Sequence, residues 1–342
     1  MELEEEKYCN KGDLLYAWAC TFGPYIWKSG KTIYHYHIWK INEKAECVDK
    51  LFLYYLLIFQ TPLMLGNVNG SVMLHITKSS IEKTKVRIPS SINTQQRIAS
   101  ILSSLDAKIE NNNKINAKLE EIAQNLFKEW FVDFGPFKDG KFVESELGMI
   151  PEGWRVGTLG EIAEINPSRS IKKDSYSTYL DMKNMPTTGP FPIQWESKTY
   201  SGGMKFKNGD TLMARITPCL ENGKVAYVNF LNDEEIGFGS TEYIVISPKD
   251  EYFPEFFYFL CRDKRFIDYA VANMNGSSGR QRVSGNAICN YSMPIPPQGT
   301  INKLTSIKSL MEKIKYNCLE NQRLATLRDT LLPKLISGEI KL

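Results

Sequence analysis

The seven cysteines of this sequence are scattered, and no two of them form a C-x-x-C pair. That favours free thiols in a reducing compartment, so a cytoplasmic location is expected. Residues 1–7, MELEEEK, are acidic where a signal peptide is basic and then apolar. The most apolar run, Leu51 to Phe59, is soon interrupted by Gln60 and Pro62 and is too short to span a bilayer, so no membrane association is expected. No glycine-rich cofactor loop follows a strand, and no two carboxylates stand out as a catalytic pair. The chain is therefore expected to be non-catalytic and to use no cofactor. Histidine is scarce, at three residues. His35-x-His37 would sit on one strand face, but without a Cys or carboxylate partner pattern no metal is expected there. Strong basic charge is also absent: the net charge is +3, so any nucleic-acid surface must be local. With 342 residues, 42% hydrophobic and 24% charged, there is material for two soluble domains with cores of their own.

Gln96 to Phe131 carries the clearest periodicity. Ile98, Leu102, Leu105, Ile109, Asn112, Asn116, Leu119, Ala123, Leu126 and Trp130 alternate steps of four and three, the seam of a long helix packed lengthwise on another. The partner lies in the same chain. Ile307, Leu310, Ile314, Asn317, Asn321, Leu324, Arg328, Leu331 and Leu335 repeat the pattern, polar interruptions included. Asn93 with Gln96 reads as a capping box and Gly135-Pro136 as a stop, and the second helix is expected from about Thr300 to Gly338 with Pro333 bending its last turn. Each helix spans roughly 54 Å at 1.5 Å per residue, which suits a spacer. Antiparallel packing would set Asn112 opposite Asn321 and Asn116 opposite Asn317, a polar layer that costs stability but selects one register.

The repeat extends beyond the helices. Gly12-Asp13-Leu14-Leu15-Tyr16-Ala17 returns as Gly209-Asp210-Thr211-Leu212-Met213-Ala214, Leu51–Leu56 as Glu255–Leu260, Asn69-Gly70-Ser71 as Asn275-Gly276-Ser277, and Ile88-Pro89 as Ile295-Pro296. A module of about 200 residues used twice points to duplication of a whole domain plus helix. Thr32 to Ile41 and Ser240 to Ser247 read as strands, and the aromatic stretches Leu51 to Phe59 and Pro254 to Arg262 as helices. The fold class is mixed α/β (α+β). Residues 1–90 are expected to form a first domain, 91–136 a central helix, 137–150 a surface linker, 151–297 a second domain and 298–342 a C-terminal helix. The first copy lacks a counterpart of Pro151 to about Ser197, so the first domain is expected to be incomplete at its front.

Four stretches resemble one family. S-E-L-G-M-I-P-E-G-W (Ser145 to Trp154), L-F-K-E-W-F-V-D-F (Leu126 to Phe134), I-P-P before a long helix, and L-L-P-K-L-I-S-G-E-I (Leu331 to Ile340) are similar to the specificity subunit of type I restriction-modification systems. The resemblance covers the whole chain. It implies two target recognition domains joined by two long antiparallel coiled-coil helices in a pseudo two-fold tandem repeat. It further implies a subunit that reads a bipartite site in double-stranded DNA and assembles with two adenine methyltransferase subunits and a restriction/translocase subunit. Asn166-Pro167-Ser168 lacks the aromatic that follows N-P-P in adenine methyltransferases, so that chemistry is expected to belong to the partner. A truncated assembly scaffold or decoy, and a free-standing DNA-binding protein, stay open as alternatives.

Candidate DNA contacts are Ser277, Ser278, Arg280, Gln281 and Arg282, where two guanidinium forks and an amide follow flexible glycine and serine and match guanine and adenine edges or phosphates. A solvated basic loop is the bland alternative. Arg215, Lys224, Lys198, Tyr200 and Lys205 are weaker candidates, since scattered lysine is usually plain surface. In the first module Lys28, Lys31, Tyr34, His35, Asn69, Ser71 and His75 are the equivalents, and Trp18 stands where the second has Arg215. With its front absent, the first module is expected not to recognise DNA as the second does. Phe127, Trp130, Phe131 and Phe134 offer more aromatic surface than a two-helix seam needs, and are expected to serve protein partners as well, with core packing under the recognition domains as the alternative.

Overall fold

The computed structural model describes residues 4–66, 75–249, 254–277, 279–297, 299–300 and 305–342. The chain divides into two compact units, Met1–Asn111 with Glu320–Leu342, and Asn112–Leu319.

The first unit is built on a three-stranded antiparallel sheet with Leu14–Ala17 in the centre, between Gly23–Ile26 and Ile38–Ile41. All four residues of the central strand are buried. Helix Lys50–Gly66 packs across it, and the Tyr16 hydroxyl shares a 2.9 Å hydrogen bond with Thr61 in the interior. The far side of that helix gives Phe52, Tyr55 and Leu56 to a core with Ile98, Ala99, Leu102, Leu332, Leu335 and Ile336 from both long helices, of which Ile98, Leu102 and Leu335 are seam residues. Polar pairs fix the helices' direction. Asp106 accepts from Arg328 at 2.7 Å, and Lys108 meets Glu320 at 3.3 Å, so sequence order runs oppositely along the two helices.

The second unit contains a four-stranded sheet, in order Val225–Tyr227, Thr211–Ala214, Tyr243–Pro248 and Ala163–Ile165, and a second sheet ordered Glu196–Thr199, Tyr176–Leu180, Gly237–Gly239 and Met204–Phe206. Here too the central strand, Thr211–Ala214, is wholly buried. Helix Glu255–Arg262 lies against the sheet with Phe256, Phe257, Tyr258 and Phe259 all buried. Asn317 donates to Asn116 at 2.8 Å, and Asn116 donates to Cys318 Sγ at 3.5 Å; Asn112 and Asn317 are buried.

Both central strands start from the same turn. Gly12 (φ +92°) and Gly209 (φ +93°) adopt a left-handed backbone that a side chain would strain. The aspartate that follows folds back to accept an N–H from three residues earlier, Asn10 to Asp13 at 2.8 Å and Lys207 to Asp210 at 2.7 Å. Asp210 is buried, and Arg169 compensates it with a fork at 2.5 and 2.9 Å. The partly exposed Asp13 takes Lys40 instead, at 2.7 Å.

Several sequence expectations need correction. Thr32 to Ile41 is two strands, not one. Thr32–Ile33 pairs with Tyr8–Cys9 and Ile38–Ile41 with Leu14–Ala17, while His37 N–H donates to His35 Nδ1 at 3.2 Å and closes a turn between them. His35 and His37 therefore do not share a strand face. The first long helix, Ile92–Phe131, starts behind Ser91, whose hydroxyl accepts from Thr94 N–H, and not behind an Asn93 capping box. Next to it the buried Gln95 accepts from Asp49 N–H and donates to the carbonyls of Cys47 and Pro89. The second long helix is described from Thr305 and runs on through Pro333 to Ser337. The stretch read as a surface linker does lie largely exposed, and it carries a hairpin of Phe142–Ser145 with Gly148–Pro151. Phe127 and Phe131 are buried in the second unit against Phe256 and Trp154 and belong to its interior, while Trp130 and Phe134 pack on the same core and stay partly exposed. Among the described residues no helix is long and apolar enough to cross a membrane.

Candidate nucleic-acid interface

At the end of each central strand the chain makes the same backbone junction. In the second unit Arg215 donates its N–H to Glu242 O at 3.0 Å and accepts from Val283 N–H at 3.0 Å, and Ile216 forms an isolated bridge with Arg282. In the first unit Trp18 donates to His37 O at 3.1 Å and accepts from Ile76 N–H at 2.9 Å, and Ala19 bridges to His75. Three segments far apart in sequence converge at each junction. One presents Arg215, Glu242 and Arg282; the other presents Trp18, His37 and His75.

The first of these is ionic. Arg282 meets the Glu242 carboxylate side-on, with Nε at 2.9 and 3.0 Å and Nη2 at 2.8 Å, and gives Nη1 to the Arg280 carbonyl at 3.0 Å. Those Arg282 hydrogen bonds, opposed by burial and aided by the charges of Arg282 and Arg215, hold Glu242 below the usual carboxylate range. The buried Nε of Arg215 has no hydrogen-bond partner among the described residues. Gly276 (φ +127°) and Gly279 (φ +77°) shape the loop that carries the exposed Ser277 and Arg280, and Gln281 is half-buried with its carbonyl accepting from Thr217 N–H. Ser278 lies outside the described residues.

Beside the junction opens a cleft of about 400 Å³, lined by Tyr179, Lys198, Phe238, Ser240 and Thr241 among others. Thr241 of this lining directly precedes Glu242 in the chain. Lys198 Nζ stands 4.4 Å over the Tyr179 ring, and Phe238 touches the rings of both Tyr179 and Tyr200. A groove with aromatic faces and a cation suits an unstacked base or a sugar-phosphate edge. Lys205 and Lys224 differ from expectation in being tied to backbone: their ammonium groups donate to the carbonyls of Arg169 and Met182, each at 2.7 Å.

The second junction is aromatic. Trp18 stacks on Trp39 at 5.8 Å and meets the edges of His37 at 4.8 Å and His75 at 6.5 Å, while its Nε1 donates to Tyr36 O. Adding His35 at 4.8 Å from His37, all three histidines of the sequence gather here. Among the described residues no group of three or more His, Cys, Asp or Glu is placed to hold a metal ion. Lys31 is turned to Glu5 and the Tyr8 ring, Lys28 to Glu110, and Tyr34 to the Glu6 carbonyl. Asn69 and Ser71 lie outside the described residues.

Sequence reasoning did not select Glu242, Tyr179 or Phe238. Glu242 had a usable signal: it precedes Tyr243-Ile244-Val245-Ile246 as His37 precedes Ile38-Trp39-Lys40-Ile41, the two strands that pair with the repeated Gly-Asp strand. Tyr179 and Phe238 meet only through a strand pairing that leaves no local mark.

The duplicated modules and long helices describe a class of tandem two-domain chain, and comparison with known proteins identifies the class. Residues 1–121 and 151–327 match the model of the type I restriction modification DNA specificity domain. The MjaIX specificity subunit of Methanocaldococcus jannaschii is 30% identical over 85% of this chain and 69% of its own length. The HindI specificity subunit of Haemophilus influenzae is 27% identical over 88% of this chain and 79% of its own. In fold, the solved S subunit of a type I restriction-modification system from M. genitalium aligns with a TM-score of 0.55 at 19% identity, covering 96% of this chain and 83% of that chain. This chain belongs to the type I restriction-modification specificity subunit family.

Proposed function

We propose that the chain reads a split site in double-stranded DNA with one junction per half-site, Arg215, Glu242, Arg282 and the neighbouring Arg280 in one module, and Trp18, His37 and His75 in the other, so that the first module also recognises DNA, though through groups unlike those of the second. The observation that carries this reading is the repeated backbone junction with unlike side chains. A constant frame that varies only the groups at one exposed corner is what is needed to read two different half-sites. Glu242 holds Arg282 in a fixed plane, which favours one base edge over others. The chain itself does no chemistry in this reading. It places two adenine methyltransferase subunits on the half-sites and, in the larger assembly, a restriction/translocase subunit.

Glu242→Gln tests the role of the ion pair. Loss of the carboxylate frees the Arg282 fork and removes a negative charge that opposes phosphate. Binding to the cognate duplex is expected to weaken by about tenfold, while binding to unrelated duplex stays level or rises. Competition anisotropy reads both. An unchanged ratio of cognate to unrelated affinity assigns the pair to folding alone.

A further inference from the structure

One buried acid of the second unit lies outside the junction. Glu255 opens the helix Glu255–Arg262 with only 5% of its surface exposed, and its Oε2 has no hydrogen-bond partner among the described residues. Its Oε1 accepts a long hydrogen bond from the Tyr227 hydroxyl, at 3.3 Å. Burial pushes the carboxyl above the usual carboxylate range, against the hydrogen bonds it accepts and the charge of Lys308. Thr211, directly across from Tyr227 in the sheet, likewise leaves its buried Oγ1 without a partner among the described residues.

The internal repeat shows that the frame itself does not need this polarity. Thr211 corresponds to Leu14 through the shared Gly-Asp start, Tyr227 to Ile26 through the strand register, and Glu255 to Leu51 at the start of the aromatic helix. A buried carboxyl short of donors costs stability, and an aliphatic side chain of similar size does not. Three polar residues where the same frame takes three aliphatic ones therefore point to a ligand and not to folding.

Tyr227 and Glu255 line a cavity of about 230 Å³, whose other walls are Asn229, Pro254, Lys308, Met311 and Glu312. Lys308 and Glu312 are exposed and Met311 is buried, while Asn229 Oδ1 already accepts from Lys315 at 2.9 Å. The walls thus set two carboxyls against the single ammonium of Lys308, beside the carbon surface of Met311 and Pro254. A cation balances the charge, N–H groups supply the donors that Glu255 lacks, and a carbon chain covers the apolar wall. An inorganic cation meets only the first of these needs.

We infer that this cavity binds a primary alkylammonium, an ammonium group on a short carbon chain, with the Glu255 carboxylate as its anchor. The site does not depend on DNA reading. A free amine and the lysine side chain of a bound protein carry the same chemistry, and two probes separate them.

The test titrates the full chain with n-butylammonium chloride at constant ionic strength, followed by calorimetry and by the melting temperature. Saturable binding at one site is expected, roughly in the millimolar range for so small a ligand, with a melting temperature that rises as the site fills. Glu255→Gln, which keeps the shape and loses the charge, is expected to bind about tenfold or more weakly. Glu255→Leu, the residue type of the matching position, is expected to lose binding equally and to melt no lower than wild type. Nα-acetyl-lysine methylamide is the second probe: its binding as well places the source on a protein partner, and binding of n-butylammonium alone places it on a free amine. Four results overturn the inference: no saturable binding, equal binding in Glu255→Gln, a matching response to n-butanol, potassium or magnesium, or a Glu255→Leu chain that melts well below wild type and so assigns the acid to the fold.

Discussion

Replacing Arg280 and Arg282 together by alanine is expected to lower affinity for the cognate duplex by about ten- to a hundredfold for each base edge that is no longer read. Arg280 is exposed at the end of a glycine-shaped loop, and Arg282 is planed by Glu242, so the pair offers one mobile and one fixed guanidinium. If the arginines meet phosphate instead, the effect is a salt slope shallower by about one for each phosphate released. Arg280→Ala alone takes away an exposed side chain with no bond to any described residue, and separates binding from stability. Arg282→Ala also strips Glu242 of the donors that depress its pKa. A carboxylate with a depressed folded pKa contributes stability that is present above its unfolded pKa and is lost as pH falls through the folded value. The stability gap between wild type and Arg282→Ala is therefore expected to be largest near neutral pH and to close in acid below the usual carboxylate range, as denaturant titrations at several pH values will show. Cognate binding unchanged in the folded double variant assigns both arginines to plain surface.

Phe127→Ala is expected to cost about 3 to 5 kcal/mol of stability, the range for truncating a buried aromatic. Phe127 is buried with its ring 5.3 Å from both Phe131 and Phe256 and 6.3 Å from Phe259, in the core where the first long helix meets the aromatic helix Glu255–Arg262. The vacated volume would have to stay empty or draw the neighbouring rings inward. Chemical denaturation followed by tryptophan fluorescence reports the change, because Trp154 packs on Phe131 in the same cluster. A loss under about 1 kcal/mol, the scale of an ordinary surface substitution, contradicts this packing.

The long helices were legible because their signal is local: a 3.5-residue seam depends only on the sequence near it, and the two Asn interruptions that repeat in both copies already named Asn116 and Asn317 as facing residues. The Gly-Asp turn was legible for the same reason. Phe127 and Phe131 were not, since a helix position off the seam looks alike whether water or a domain covers it, and the domain arrives from residues more than a hundred positions later. The junction was half legible. Arg282 stood out by composition, whereas its partner Glu242 is 40 positions away and joins it only once the strands pair. His35 and His37 misled because β-branched and aromatic content favours a strand, while the His35 side chain captures the His37 N–H and turns the chain.

The central claim, that two modules of one frame read two unlike half-sites, is tested most directly by selecting bound duplexes from a randomised pool with the chain in complex with the proposed methyltransferase partner. Wild type is expected to enrich two short motifs at a fixed separation. The Arg280→Ala, Arg282→Ala variant should lose one motif and keep the other, and Trp18→Ala should do the reverse. A single contiguous motif, or loss of both motifs together in each variant, contradicts the account.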